Sequence, residues 1–271
     1  MALSLTAETC RKIAAQLEQA EQTRQQIRPA SCEYPGFNMD DAYAVQAEWI
    51  RLKLAGGRRT VKGYKIGLTS RAMQMSSNID TPDSGVLLDD MFLYDGCDVP
   101  AGRLIMPRIE VELGFMLGRD LRGPGCTIFD VLDAADYVVP TLEIIDVRFC
   151  MTDPVTGAGR KVFDTIADNA CNAFLVIGGT PVKPASIDLR WVGAIMYQNG
   201  VVQETGVSAG VLGHPANGIV WLANRIAGQG EYLKAGQFVM AGSFTRPLFA
   251  KPGDVFTVDY GRLGCVNCRF A

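Results

Sequence analysis

Glu143 lies inside a strongly apolar run, Val138-Val139-Pro140-Thr141-Leu142-Glu143-Ile144-Ile145-Asp146. A run of this composition is typical of a strand that is buried when the chain folds, and the carboxylate is then buried with it. A buried carboxylate without a partner costs several kcal/mol, so it must be paired with a cation or stay protonated. The fold must therefore bring a metal ion or a basic side chain next to this segment.

A second segment, residues 107–115, alternates charged and apolar residues in the way of a strand. Successive side chains of a strand point to opposite faces, so Glu110 and Glu112 share one face at a spacing of about 7 Å. The apolar residues between and beside them occupy the other face. The segment therefore predicts two carboxylates on a common surface.

Glu110, Glu112 and Glu143 together predict a site for a hard divalent cation. Three carboxylates suit Mg²⁺ or Mn²⁺ and leave other coordination positions for water or an oxygen-rich substrate. The spacing leaves one alternative open. Glu110 and Glu112 could lie on a solvated face of the sheet while Glu143 pairs with Arg108 or Arg148.

Composition excludes several other classes of function. The chain has 271 residues, 48% apolar and 20% charged, and its formal charge is −3, which gives no basic surface for nucleic acid. It has no apolar run of about 18 residues and no apolar leader, so we expect a cytoplasmic protein that does not bind membranes. The eight scattered cysteines suggest a reducing compartment. The pair Cys265 and Cys268 lies in a predicted strand that would turn the two thiols to opposite faces.

The pattern of elements predicts an α+β fold, with helices in residues 1–60 and a β-rich catalytic domain in 61–271. A first helix is expected over about residues 4–27. A second helix is expected to begin at a cap formed by Asn38 or Asp40, with Val45, Trp49 and Leu52 on one face. Asn199-Gly200 predicts a hairpin turn between strands 194–198 and 201–205. A later helix is expected after His214 and Pro215, and its apolar face consists of Ile219, Leu222, Ala223 and Ile226.

Lys65 is the basic residue that the sequence singles out, since it lies among small and apolar residues. A partly desolvated lysine can move protons or hold an anion, although a lysine on an edge strand can also extend to solvent. Asp83 follows Pro82 and is interpreted first as a turn residue, and Arg160, Lys161 and Asp164 as loop charges.

The sequence argues against two common catalytic devices. His214 is the single histidine and is expected to cap a helix or lie in a loop, and no Gly-x-Ser-x-Gly elbow supports a serine triad. The glycine-rich stretches fit neither a Walker loop nor a dinucleotide fingerprint. Nucleotide cofactors are therefore not expected.

Several motifs together resemble one family over nearly the whole chain. They are Asp41-Ala42-Tyr43-Ala44-Val45-Gln46, Gly63-Tyr64-Lys65-Ile66-Gly67-Leu68-Thr69-Ser70, Glu110-Val111-Glu112, Asp164-Thr165-Ile166-Ala167-Asp168-Asn169 and Gly213-His214-Pro215-Ala216-Asn217-Gly218. These motifs resemble the hydratase and decarboxylase branch of the fumarylacetoacetate hydrolase superfamily. Residues 87–92 and 242–247 are most similar to members that hydrate 2-oxohept-3-ene-1,7-dioate in homoprotocatechuate catabolism.

The resemblance implies a mixed β-roll that follows a helical N-terminal region and assembles as a pentamer or a decamer. It implies a divalent metal held by Glu110, Glu112 and Glu143. It also implies addition of water at C4 of a 2-oxo dicarboxylate enone and protonation at C3, which yields 4-hydroxy-2-oxoheptanedioate. A metal would promote this reaction as a Lewis acid.

The resemblance also suggests roles for residues around the pocket. Lys65 and Asp83 are the candidates for proton transfer, with acid and base unassigned, and Lys161 is a second cation for substrate charge. The distal carboxylate of a dicarboxylate needs a bidentate cation, for which we name Arg246. Hydroxyl groups that could orient the substrate are those of Ser70, Ser243 and Thr245.

Two other functions stay open at this point. A decarboxylase of the 4-oxalocrotonate type, or a 2-oxopent-4-enoate hydratase, would use the same chelation of a 2-oxo acid. A non-catalytic ligand-binding or assembly protein could keep the fold without turnover. The intact carboxylate set and Lys65 argue against this last possibility, because a buried charge cluster is costly to retain.

Overall fold

The computed structural model describes residues 3–76 and 79–271. The helices are α1 (Ala7–Thr23), α2 (Ala30–Glu33), α3 (Met39–Leu54), α4 (Arg71–Ser76), α5 (Ile128–Ala134), α6 (Val162–Ala167) and α7 (Ala216–Ala227). The strands are β1 (Val61–Gly67), β2 (Asp83–Leu88), β3 (Phe92–Tyr94), β4 (Cys97–Val99), β5 (Arg108–Leu117), β6 (Ala135–Ile145), β7 (Asn172–Ile177), β8 (Gly193–Gln198), β9 (Val201–Val207), β10 (Phe238–Met240), β11 (Leu248–Phe249), β12 (Val255–Asp259) and β13 (Cys265–Phe270). The predicted α+β class is confirmed.

The N-terminal helices begin at side-chain caps and pack on each other. The Asn38 side chain accepts hydrogen bonds from the backbone N–H groups of Asp40 and Asp41, which fixes the start of α3 as expected. Helix α1 is shorter than predicted, because Arg24 adopts a left-handed conformation and ends it. The apolar core around α1 and α3 also contains Phe149 from the later part of the chain. A domain boundary near residue 60 stays a prediction.

The prediction that Leu52 lies on the buried face of α3 is wrong, since 37% of this residue is exposed. Trp49 and Ile50 are buried, and Lys53 takes the next buried position of the helix. The Lys53 ammonium group lies 2.6 Å from Glu21 and 4.6 Å from the centre of the Trp49 ring. Ion pairing and stacking on the indole therefore let a lysine replace an apolar residue at this position.

The larger sheet has the strand order β2-β1-β10-β5-β6-β7-β3, with β11 paired to β5. It is mixed, because β1 runs parallel to β10 while β5 runs antiparallel to both β10 and β6. Strand β5 alternates as predicted. Val111 and Leu113 are fully buried in the main core, which also includes residues of the second sheet, and Glu110 and Glu112 lie on the opposite face.

The smaller sheet has the order β4-β13-β12-β8-β9. Its β8–β9 hairpin turns at Asn199 and Gly200, whose φ angles of 54° and 79° fit a type I′ turn, so this prediction is confirmed. In β13, Cys265 is exposed and Cys268 is buried, as the predicted strand requires. Strand β9 of this sheet contributes Glu204 and Thr205 to the cavity described below.

Helix α7 begins after His214 as predicted. The Nδ1 atom of His214 accepts a hydrogen bond from the backbone N–H of Ala216, which is a capping contact. The expected apolar face of α7 is buried. Among residues 3–76 and 79–271, no helix is both long and apolar enough to cross a membrane.

Candidate active site

The three predicted metal ligands meet on one face of the larger sheet. Strands β5 and β6 pair so that Glu110 lies directly opposite Glu143, and Glu112 lies opposite Thr141. Carboxylate oxygens of Glu110, Glu112 and Glu143 all lie within 4.8 Å of one another. Two adjacent strands in register therefore bring together acids that are more than 30 residues apart in sequence.

The carboxylate cluster has unused acceptors that fit a divalent cation. Glu112 and Glu143 are buried, and Oε1 of Glu112 and Oε2 of Glu143 have no hydrogen-bond partner in the described part of the chain. Buried polar atoms without partners are unfavourable, and a hard cation would satisfy several of these oxygens at once. The other Glu112 oxygen, Oε2, accepts a hydrogen bond of 2.9 Å from the backbone N–H of Gly242. The donor set is therefore suitable for Mg²⁺ or Mn²⁺.

Glu143 is paired with a lysine. The Nζ atom of Lys65, on β1, lies 3.2 Å from Oε1 of Glu143, and the Asn172 side chain donates a 3.0 Å hydrogen bond to the same oxygen. The alternative pairing of Glu143 with Arg108 or Arg148 is wrong. Arg148 is bound instead to Asp168, at 2.6 Å.

The pKa values of the acids and of the lysine in this cluster are raised by different causes. Burial and the charge of Glu143 raise the pKa of Glu110 to about 7, and the same two causes raise the pKa of Glu112. Burial alone would lower the pKa of Lys65, but the surrounding carboxylates, with Glu143 first, raise it above its ordinary value. Lys65 is therefore a permanent cation at neutral pH, whereas Glu110 still exchanges a proton there.

Asp83 is not the turn residue that its sequence suggests. It is the first residue of β2, pairs in register with Gly67, and is only 1% exposed. Its Oδ1 atom has no hydrogen-bond partner among the described residues. A Cβ atom on Gly67 would collide with this oxygen and would lie 3.2 Å from Nζ of Lys65. A residue without a side chain therefore leaves the space between Lys65 and Asp83 open.

A cavity of about 390 Å³ opens onto this face of the sheet. Most of the predicted site residues line it, namely Lys65, Ser70, Asp83, Glu110, Ser243, Thr245 and Arg246. Carboxylate oxygens of Glu112 and Glu143 lie within 4.8 Å of one of Glu110. The side chains proposed for metal binding, proton transfer and substrate binding thus largely share one cavity.

Lys161 is the predicted site residue that lies apart from the cavity. Its side chain is exposed, and its backbone N–H donates to Asp164 at the start of α6. Asp164 is itself fully buried and also binds Ser31, so its interpretation as a loop charge is wrong. The neighbouring Arg160 lines the cavity in place of Lys161, so it is not a solvated loop charge either.

Two more arginines line the cavity, and their contacts differ from those that the sequence suggested. Arg246 lines the cavity but is held by Glu204 at 2.6 Å, and 82% of its side chain is exposed. Arg108 lines the same cavity, whereas its place in the sequence suggested only a pairing with Glu143. Its position two residues before Glu110 places both on one face of β5, and this alternation was the available signal.

The chain also matches known proteins over most of its length. The family model described as fumarylacetoacetate hydrolase, C-terminal, matches residues 68–271. The chain is 60% identical over 258 residues to a 2-oxo-hept-4-ene-1,7-dioate hydratase from Escherichia coli, covering 95% of this chain and 96% of the relative. It is 39% identical over 267 residues to a 4-oxalocrotonate decarboxylase from Pseudomonas sp. strain CF600, covering 98% of each.

A solved structure gives the same result for the fold. The 4-oxalocrotonate decarboxylase from Pseudomonas putida G7, complexed with magnesium and adipate, matches with a TM-score of 0.93 and 37% identity over the whole of both chains. The predicted fold and the resemblance to the hydratase and decarboxylase branch are confirmed. This chain belongs to the fumarylacetoacetate hydrolase family.

Proposed function

We propose that this protein is a metal-dependent hydratase that adds water to an unsaturated seven-carbon 2-oxo dicarboxylate and forms 4-hydroxy-2-oxoheptanedioate. The observation that carries this proposal is the cluster of Glu110, Glu112 and Glu143 beside Lys65 in one cavity. The 60% identity to a hydratase acting on 2-oxo-hept-4-ene-1,7-dioate supports the choice of reaction and substrate.

Glu110, Glu112 and Glu143 would hold the metal, for which we propose Mg²⁺ or Mn²⁺. The structurally similar decarboxylase complexed with magnesium supports a divalent ion. When bound, the metal supplies Lewis-acid polarisation of the 2-oxo acid. Four carboxylates, those of Asp83, Glu110, Glu112 and Glu143, surround Lys65, so a divalent cation would offset two of the three net negative charges of the ionised cluster.

Lys65 and Asp83 have different roles in the proposed reaction. Lys65 stays protonated, so it stabilises the negative charge that develops on the substrate and does not serve as the base. Burial raises the pKa of Asp83 above its ordinary value, which makes its carboxylate a stronger base. We therefore assign Asp83 to accept a proton and Lys65 to stabilise the resulting charge.

The position of the substrate double bond determines how many proton transfers the site performs. Water adds to C4 when the double bond joins C3 and C4 in conjugation with the ketone, which is the isomer expected from the sequence. From the isomer with a C4–C5 double bond, removal of a proton at C3 and its return at C5 gives the conjugated isomer. Asp83, with its unpartnered Oδ1, is the group we propose for that transfer.

A decarboxylase is the second candidate. The relative from Pseudomonas sp. strain CF600, at 39% identity, and the solved structure from Pseudomonas putida G7, with a TM-score of 0.93, are both named 4-oxalocrotonate decarboxylase. Chelation of a 2-oxo acid serves both reactions, so the products must distinguish them. A third possibility in the family is the hydration of 2-oxopent-4-enoate, which lacks the second carboxylate.

The test is to incubate the purified protein and Mg²⁺ with the seven-carbon substrate and to follow product by NMR and CO₂ by trapping. Formation of 4-hydroxy-2-oxoheptanedioate without CO₂ supports the hydratase. Stoichiometric CO₂ would establish the decarboxylase instead. Crystals soaked with Mg²⁺ and oxalate, a mimic of the 2-oxo acid, should show the ion bound by the three glutamates.

We also propose a cytoplasmic homo-oligomer, a pentamer or a decamer, that acts on a small molecule. The role in aromatic-compound catabolism follows from the proposed substrate. Sedimentation at several protein concentrations would give the subunit number, and a monomer at micromolar concentration would contradict the proposal.

A further inference from the structure

We propose that Arg108 and Arg160 form the subsite for the distal carboxylate of the substrate, so that they select a dicarboxylate over a monocarboxylate. This inference rests on the proposed function, since it assigns residues that choose the substrate of the same site. Arg246, which the sequence suggested for this task, is bound to Glu204.

The position of Arg108 fits the length of the substrate. It lies on the same face of β5 as Glu110 and Glu112 and lines the same cavity. Two residues of a strand span about 7 Å, so the Cα atom of Arg108 lies about one such step from the Cα atom of Glu110. An extended seven-carbon diacid with its 2-oxo acid group at the metal places its other carboxylate at a similar distance.

Arg108 has unmet hydrogen-bonding capacity. Its Nε atom is buried and has no hydrogen-bond partner among residues 3–76 and 79–271. Its Nη2 atom contacts only a weak acceptor, Sδ of Met151, at 3.8 Å, and its guanidinium carbon lies 4.5 Å from the centre of the Phe249 ring. The ring fixes the plane of the guanidinium group, and a carboxylate would supply the missing acceptor.

Arg160 adds a second positive charge to the same wall of the cavity. Its Nη1 atom donates only to Sγ of Cys171, at 3.7 Å, and in the part of the chain that the structure describes it forms no ion pair. Arg108 and Arg160 line one cavity, and two positive charges that share a cavity favour the binding of an anion there. A carboxylate bound in this cavity would accept hydrogen bonds from both.

The other charges of the cavity do not satisfy these two arginines. Glu204 lines the cavity, but both Nε and Nη2 of Arg246 bind it, at 2.9 and 2.6 Å. Glu110 is the carboxylate closest in sequence to Arg108, and we assign it to metal binding together with Glu112 and Glu143. In the described ranges no carboxylate forms an ion pair with Arg108 or Arg160, so the distal carboxylate of the substrate is the partner that we propose for them.

The test compares two substrates in the holoenzyme with Mg²⁺. One is the seven-carbon 2-oxo dicarboxylate, and the other is 2-oxopent-4-enoate, which has no distal carboxylate. We expect Arg108→Gln to lower kcat/KM for the dicarboxylate by about 100-fold, because a buried charge pair loses one partner. The value for the monocarboxylate should change by less than about 3-fold, since that substrate does not reach the arginines.

Further variants and a binding measurement keep the test independent of one substitution. Arg160→Gln should reduce the same preference, and Arg108→Lys should reduce it by about 10-fold because a lysine keeps the charge but loses the bidentate geometry. Arg269→Gln, at an exposed ion pair with Asp98, is the matched control and should leave both rates unchanged. Calorimetry with adipate and hexanoate in the presence of Mg²⁺ gives a readout that needs no turnover.

The outcomes separate this inference from the proposed function. Equal losses for both substrates in Arg108→Gln and Arg160→Gln would overturn the inference, as would loss of the preference in Arg246→Gln alone. If the wild type converts neither substrate, the proposed function fails and calorimetry decides about the arginines. Weakened binding of adipate but not of hexanoate in Arg108→Gln then supports the subsite, and unchanged binding of both overturns it.

Discussion

The Nζ atom of Lys65 lies 3.2 Å from Oε1 of Glu143, so a side chain of β1 neutralises a buried carboxylate of β6. This contact crosses from one side of the β10–β5 pair to the other, because β1 and β6 are not neighbours in the sheet. It connects the stability of the fold to the chemistry of the site.

Lys65→Met should therefore affect both stability and turnover. Without metal, the buried Glu143 loses its cation, and we expect the free energy of unfolding to fall by about 3 kcal/mol. Mg²⁺ should restore most of that loss, whereas kcat should stay reduced by about 100-fold or more. Thermal unfolding with and without Mg²⁺ and steady-state kinetics measure the two effects. Lys183→Met, at an exposed pair with Asp136, is the control, and an unchanged kcat in Lys65→Met would exclude Lys65 from the mechanism.

Glu143→Ala should abolish metal binding and activity together. The substitution removes one of three clustered carboxylates and leaves Lys65 as an unpaired buried cation that repels the ion. We expect the Kd for Mn²⁺, measured by calorimetry or by electron paramagnetic resonance, to rise by about 100-fold or more. Glu8→Ala, at an exposed position of α1, is the control. Normal metal binding by Glu143→Ala would show that the ion binds elsewhere.

Metal affinity should weaken as the pH falls through 7. The pKa of Glu110 is raised to about 7 by burial and by Glu143, and a proton on Glu110 competes with the ion. Below pH 7 the Kd for Mn²⁺ should rise by at least about 10-fold per pH unit, because Glu112, whose pKa is also raised, takes up a proton as well. Without metal, the free energy of unfolding depends on pH in the opposite direction. The Glu110 carboxyl group loses its proton at a lower pH in the unfolded state than in the folded state. Stability from this group is thus lost as the pH rises from about 4.5 towards 7.

The matched variant for the pH dependence is Glu110→Gln. It should bind Mn²⁺ more weakly at every pH and show a flatter profile between pH 6 and 8, since it carries no proton to displace. An equally steep profile in Glu110→Gln would assign the titration to a different group.

Gly67→Ala should slow turnover without removing the metal. The added Cβ atom would collide with Oδ1 of Asp83 and approach Nζ of Lys65, so it would fill the space where we place the reacting part of the substrate. We expect kcat to fall by about 100-fold, in line with the loss of one positioned proton carrier. Gly193→Ala, whose Cβ would have its nearest neighbour at 3.8 Å, is the control. A normal kcat in Gly67→Ala would show that this space is not used.

The sequence by itself determined the features that depend on local chemistry. Alternation in residues 107–115 determined which acids of β5 share a face, and the apolar surroundings of Glu143 determined that its carboxylate is buried with a cation nearby. Asn-Gly and the Asn38 cap fixed a hairpin and a helix start, because these residues satisfy specific backbone conformations and hydrogen bonds. The family motifs supported the same three glutamates and added expected roles for residues around the pocket.

Only the tertiary structure decided which residues face one another across strands. Asp83 looks like a turn residue because Pro82 precedes it, yet strand pairing with Gly67 buries it beside Lys65. Lys161 and Arg160 are adjacent, but the path of the chain turns only Arg160 into the cavity. Register and burial arise from contacts between segments far apart in sequence, so no local pattern encodes them.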